Sequence, residues 1–208
     1  MRKKSHISLA RFLMNNMQVK DLNEHKKAFY IGSILPDCTP SFLTKRHTID
    51  ETFDKLIKEI RKITVDYDVE KGLTGYYARH LGVITHYLAD YFTFPHNSIF
   101  DGNIKEHCIY EKELKITLKS YVESDEAQRI REQSESYHTI DEILRFINQT
   151  HKEYIKVINN LVIKEVKEDI QYIVDLCYRV VDALLKLFEL AYAKFHPVQP
   201  IKLGHNVA

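Results

Sequence analysis

Between residues 72 and 93 the chain has almost no polar face. Leu81, Val83, Ile84, Tyr87, Leu88, Ala89 and Phe92 fall on every side of a 3.6-residue helix. A helix that is apolar all round belongs inside a bundle, so this segment demands neighbours on all sides and, with them, several further helices. It also contains His86 and Asp90, one turn apart. A His and an Asp are costly to bury alone. The centre of the molecule must therefore offer them something to bind.

The remaining sequence fits a helical surround. Gly (6) and Pro (5) are scarce, and apolar residues recur at helical rather than alternating spacing. Helices are expected over residues 5–18, 21–35, 49–65, 72–93, 103–122, 139–159 and 161–195. Asp21 with Glu24, Thr48 with Glu51, and Thr139 with Glu142 read as N-terminal capping boxes. Pro36 and Pro95 stop the helices before them. Residues 35–47 read as an irregular loop, and the charged stretch 123–138 as a surface segment with room for one short helix. A single domain over residues 1–195 and an irregular tail over 196–208 are expected.

Global composition narrows the class without naming a substrate. The 30 basic and 29 acidic residues nearly cancel, so net charge gives no reason to expect nucleic acid or an anionic membrane as an obligate partner. The cysteines, Cys38, Cys108 and Cys177, are odd in number and lack CxxC spacing, which fits a reducing compartment better than a disulfide framework. Arg11 interrupts the apolar run near the start, so residues 1–17 read as a helix of the mature protein. No stretch approaches the ~18 apolar residues of a membrane span. A soluble, cytoplasmic protein is the expectation.

His86, Asp90, His96, His107 and Glu111 lie within 26 residues. His and carboxylate side chains four residues apart on a helix share a face and can grip one divalent ion. Spacing alone proves little, because composition gives about 1.5 such pairs by chance. Burial makes His86 and Asp90 different, and the second pair, His107 with Glu111, follows on the next helix. Asp37 and His47 in the proline-flanked loop bring the candidate donors to seven, and His6 makes eight. One zinc takes four ligands, so the set implies two or three ions, and ions about 3.5–4 Å apart clamp a phosphoryl group.

In order along the chain, His6, Asp37, His47, HYLAD (His86 and Asp90), PHN (His96) and HCIYE (His107 and Glu111) resemble the zinc-dependent phospholipase C family. That family's all-α fold and trinuclear zinc centre are also similar to those of the S1/P1 nucleases. The likeness is close over the first half of the chain. It implies one Zn²⁺ on Asp37, His47, His86 and Asp90, a second on His96, His107 and Glu111, and a third reached by Asp90 with His6. It also implies that metal-activated water attacks phosphorus, with Asp37 as the catalytic carboxylate that orients or deprotonates the water. The secreted enzymes complete the third site with an N-terminal Trp, whereas this chain has no Trp and begins at Met1. The fold expected is thus an all-α, single-domain multi-helix bundle around a buried multinuclear metal centre.

Three functions remain open at this point. A phospholipase C-like phosphodiesterase acts on a small phosphoester or phospholipid-type substrate. A nuclease, nucleotidase or phosphatase uses the same cluster. A non-catalytic metal-binding or interaction protein keeps only the fold. His80 reads as a packed or hydrogen-bonded residue, and His25, His138, His151, His196 and His205 read as solvated. Cys108, next to His107, should point away from the site, most tyrosines should be core, and the 161–195 helix should pack inward.

Overall fold

The computed structural model describes residues 1–17, 19–39, 46–129 and 137–196. Among them are nine α-helices and no strand. They are α1 (Lys3–Asn16), α2 (Lys20–Glu24), α3 (Lys26–Ile34), α4 (Ile49–Thr64), α5 (Gly75–Tyr91), α6 (Ile104–Tyr121), α7 (Asp125–Arg129), α8 (Ile140–Asn160) and α9 (Val166–Phe195). Short 3₁₀ turns follow α3 and α5, at Pro36–Cys38 and Phe94–His96.

The apolar segment is the centre of the bundle. From Tyr77 to Tyr91, α5 is buried at every position except Arg79, and α1, α3, α4 and α9 pack on it. The closest approach is to α3, and two glycines make it. A Cβ on Gly82 would lie 2.2 Å from the Phe29 carbonyl oxygen, and one on Gly32 would lie 2.0 Å from that of Arg79. Only hydrogen fits at either crossing point. The long α9 lays Ile170, Ile173, Val174, Cys177, Val181 and Leu184 into the core, as its periodicity requires.

Several boundaries differ from the sequence expectation. The second helix is two helices, broken at His25, whose backbone (φ −105°, ψ 18°) leaves the helical region. Asp21 caps nothing, because Val19 occupies the N-cap position and brings no side-chain oxygen. Thr48 and Thr139 do accept from the amides of Glu51 and Glu142, but those glutamates accept in turn from Arg46 N, two residues before the cap, and His138 N, one residue before it, rather than from the cap's own amide. A full capping box opens α6 instead, between Asn103 and Glu106. The last helix begins at Val166 rather than 161. Residues 40–45 of the expected loop, 130–136 of the charged stretch, and the tail beyond 196 with His205 lie outside the described residues.

Candidate metal centre

His86 Nδ1 lies 2.9 Å from the Ser33 carbonyl oxygen at the C-terminal end of α3. A carbonyl only accepts, so Nδ1 carries the proton and Nε2 presents its lone pair. The Gly32 and Gly82 contacts bring α3 close enough for this bond. Around Nε2 gather His47 Nδ1 at 2.9 Å, Asp90 Oδ2 at 3.2 Å and Asp37 Oδ1 at 3.6 Å. His47 Nδ1 lies 3.0 Å from Asp90 Oδ2 and 3.7 Å from Asp37 Oδ1. Asp37 comes from the 3₁₀ turn after α3, and His47 from the segment leading into α4. Donors about 2.1 Å from a tetrahedral zinc are roughly 3.4 Å from one another, so the four atoms already have the edge lengths of such a site.

A second group forms where α5 gives way to α6. Glu111 Oε1 lies 3.3 Å from His96 Nε2 and 3.2 Å from His107 Nε2. Asn103 and Glu106 fix the start of α6, which sets His107 and Glu111 on its inner side. His96 is held by its turn. The Asn97 amide donates to the carbonyls of Tyr91 and Thr93, closing the open end of α5.

Asp90 joins the two groups. Its Oδ2 faces His47 and His86, and its Oδ1 faces the Met1 ammonium at 2.5 Å, His6 Nε2 at 3.4 Å and His96 Nδ1 at 3.7 Å. The Met1 nitrogen is also 3.1 Å from His96 Nε2 and 3.3 Å from Glu111 Oε1. The eight residues singled out from sequence thus converge, and the structure adds a ninth group that no side-chain pattern signals, the buried amine of Met1. Arg2 holds it there by donating to the Cys108 carbonyl of α6.

Charge and burial fit a cation-binding set. Burial works to raise the Asp90 pKa, but the Met1 ammonium and the imidazoles of His96, His86 and His6 hold it well below the usual range. Burial also works to raise that of Glu111, yet the hydrogen bonds of His107 and His96 and the Met1 charge bring it far down. Burial lowers His6 to about 3 and lowers His96 as well, leaving both imidazoles neutral and able to donate lone pairs. Both ring nitrogens of His6 are buried without a hydrogen-bond partner. An orphaned imidazole beside a carboxylate, with two convergent His/carboxylate groups, is the donor chemistry of zinc.

The polar residues set aside behave unevenly. His80 is buried and pairs through Nδ1 with Glu59. Cys108 is exposed and turned from the site. His151 is a correction: far from being solvated, it is half-buried, packs edge-on against Phe92 and bonds Asn97 Oδ1 at 2.9 Å. Asp169 of α9 was not singled out at all. Wholly buried, it accepts from Phe94 N at 2.7 Å, Tyr110 OH at 2.9 Å and Tyr154 OH at 2.8 Å. It ties the His96 turn to α6 from behind. The only sequence signal was a lone acid on the inward face of an apolar helix.

The cavity over this centre measures about 660 Å³ and is walled by Met1, Asp37, His47, His96, His107 and Glu111 with Arg46, Asp50, Asn97 and Phe100. No described helix is long and apolar enough to cross a membrane. Neither the curated proteins nor the solved structures give a match. The family model described as zinc dependent phospholipase C matches residues 5–161, which holds every candidate ligand side chain named above. On that match and this donor set, the chain belongs to the zinc-dependent phospholipase C family, a family of hydrolases.

Proposed function

We propose that the protein is a phospholipase C-like phosphodiesterase in which Asp37, His47, His86 and Asp90 hold one Zn²⁺ and His96, His107 and Glu111 a second. The observation that carries this reading is Asp90, whose two oxygens face two separate His/carboxylate groups on the floor of one cavity. A third ion would draw on Asp90 Oδ1, His6 and the Met1 amine, the group standing where the family places its terminal residue. Zinc, when bound, supplies Lewis acidity and brings the pKa of water to about 7.

The chain's own residues do the rest. Asp37 reaches the cavity wall with one side against His47 and His86 and the other open to the cavity, where it can orient a water or accept its proton. Ser33 keeps the His86 proton on Nδ1. Glu111 keeps the second group anionic, and Asp90 the first. Among the described residues lining the cavity Phe100 is the single aromatic ring besides the histidines, beside Arg46, Asp50, Ser98 and Asn103. That wall suits one compact, polar phosphodiester better than a stack of bases.

Zinc analysis together with turnover of a soluble phosphodiester and a phosphomonoester tests the reading. The expected result is two or more zincs per chain and preference for the diester. Faster cleavage of the monoester, or of single-stranded DNA, would replace it with the phosphatase or nuclease alternative.

A further inference from the structure

The balanced net charge conceals a one-sided surface. All four lysines of α6, Lys105, Lys112, Lys115 and Lys119, fall within an arc of about 80° at 100° per residue. Ile116 and Ile109 continue that arc, 56% and 55% exposed. The acids of α6 lie elsewhere: Glu106 caps the helix, Glu111 faces the candidate metals, and Glu113 lies beyond the isoleucines.

Beside this arc, α1 brings Lys3, Lys4 and Arg11 to a groove of about 720 Å³ shared with Lys115, Ile116 and Lys119. No described carboxylate forms an ion pair with any of these five cations or with Lys112. Glu123 lines the far end alone. At its near end the groove shares Lys3, Lys4 and Lys115 with a hollow of about 460 Å³ whose other walls include Met1, Arg2 and Asp37. The basic face therefore runs to the edge of the candidate metal centre.

Unpaired cations gathered on one face repel one another, and an anionic surface relieves that repulsion. Two features favour a lipid surface over nucleic acid. Exposed isoleucines flank the lysines, the pairing of basic and aliphatic side chains found on helices that lie in a membrane interface. Between its cations the described lining of the groove offers Ile7 and Ile116, and no aromatic ring on which a base would stack. We propose that the α1–α6 face docks the protein on an anionic phospholipid bilayer, with the Asp37 edge of the cavity toward the headgroups. The choice of occupant rests on the phospholipase reading; the unpaired cations do not.

The test uses the zinc-loaded full chain and sedimentation with vesicles of phosphatidylcholine, alone or with about one-third phosphatidylglycerol. Binding is expected only to the anionic vesicles and is expected to fade over about 0.05–0.5 M salt as the Debye length shrinks. Each cation near such a surface contributes about fivefold, so K112E/K119E should lower partitioning by roughly 25-fold or more. Its zinc content and melting temperature should match those of K152E/K156E, a control with the same charge change on α8, which should keep most of the binding.

Equal binding to neutral vesicles, equal losses in both double variants, or preference for single-stranded DNA over anionic vesicles would overturn the proposal. Turnover of a soluble short-chain diester is read separately. If turnover is absent while anionic vesicles still bind, the hydrolase reading falls and the docking face stands; if turnover is present while vesicles fail to bind, docking alone falls.

Discussion

At Asp37, geometry separates a proton-handling carboxylate from a purely structural one. It shares the first group with His47 and His86 but also faces the cavity. Asp37→Asn keeps an oxygen donor there and removes the base, so turnover should fall about 10²–10⁴-fold with zinc at this group weakened far less. Comparing kcat with zinc content checks this, and parallel loss of the two would assign Asp37 to metal holding alone. His6 gives the pH dependence. Its folded pKa, lowered to about 3 by burial, lies below the ordinary 6.5, so the unfolded chain binds the extra proton first. Stability is therefore full above about 6.5 and falls as pH drops toward 3, by up to roughly 1.4 kcal/mol per pH unit for such a group. Denaturant titrations across that window measure it, and flat stability from pH 6.5 to 4 would contradict the buried neutral ring. The candidate ligands were legible because His and carboxylates at helical spacing announce themselves. The Met1 amine has no residue type to read, and only the resemblance, whose third site draws on a terminal residue, pointed toward it.

Elements place these residues, and the closest crossing in the fold does so most directly. Gly82→Ala forces a methyl into the Phe29 carbonyl of α3, where the free space ends at 2.2 Å. The helices must part, and the Ser33–His86 bond parts with them. A cost of about 1–3 kcal/mol in stability and roughly 10–100-fold in zinc affinity follows, measurable by thermal unfolding and metal titration. Wild-type affinity in a stable variant would show that Ser33 does not orient His86. On the opposite side, Asp169→Ala would strand the Phe94 amide and two tyrosine hydroxyls, costing about 3 kcal/mol or more. The conservative Asp169→Asn should recover part of that and restore zinc at the His96 group before overall stability. Helix existence and the inward face of α9 were readable from periodicity. The His151–Asn97 bond and the Asp169 network were not, because each depends on which helix lies opposite, and the break at His25 has no proline or glycine to mark it.

For the whole molecule, net charge was the misleading quantity. Basic and acidic residues cancel in number, while α1 and α6 collect cations that no described acid pairs, and only the packed arrangement of the two helices reveals the groove. The all-α class and the buried centre were readable because a helix apolar on every side has few places to go, and a His and an Asp inside it have fewer. As proposed, this buried set is a multinuclear zinc centre that hydrolyses phosphodiesters. Zinc per chain, measured by mass spectrometry of elements on gel-filtered protein while diester turnover is followed through chelation and zinc re-addition, tests it most directly. Two or more zincs are expected, with turnover lost on chelation and restored by zinc; less than one zinc per chain, or turnover untouched by its removal, would contradict it.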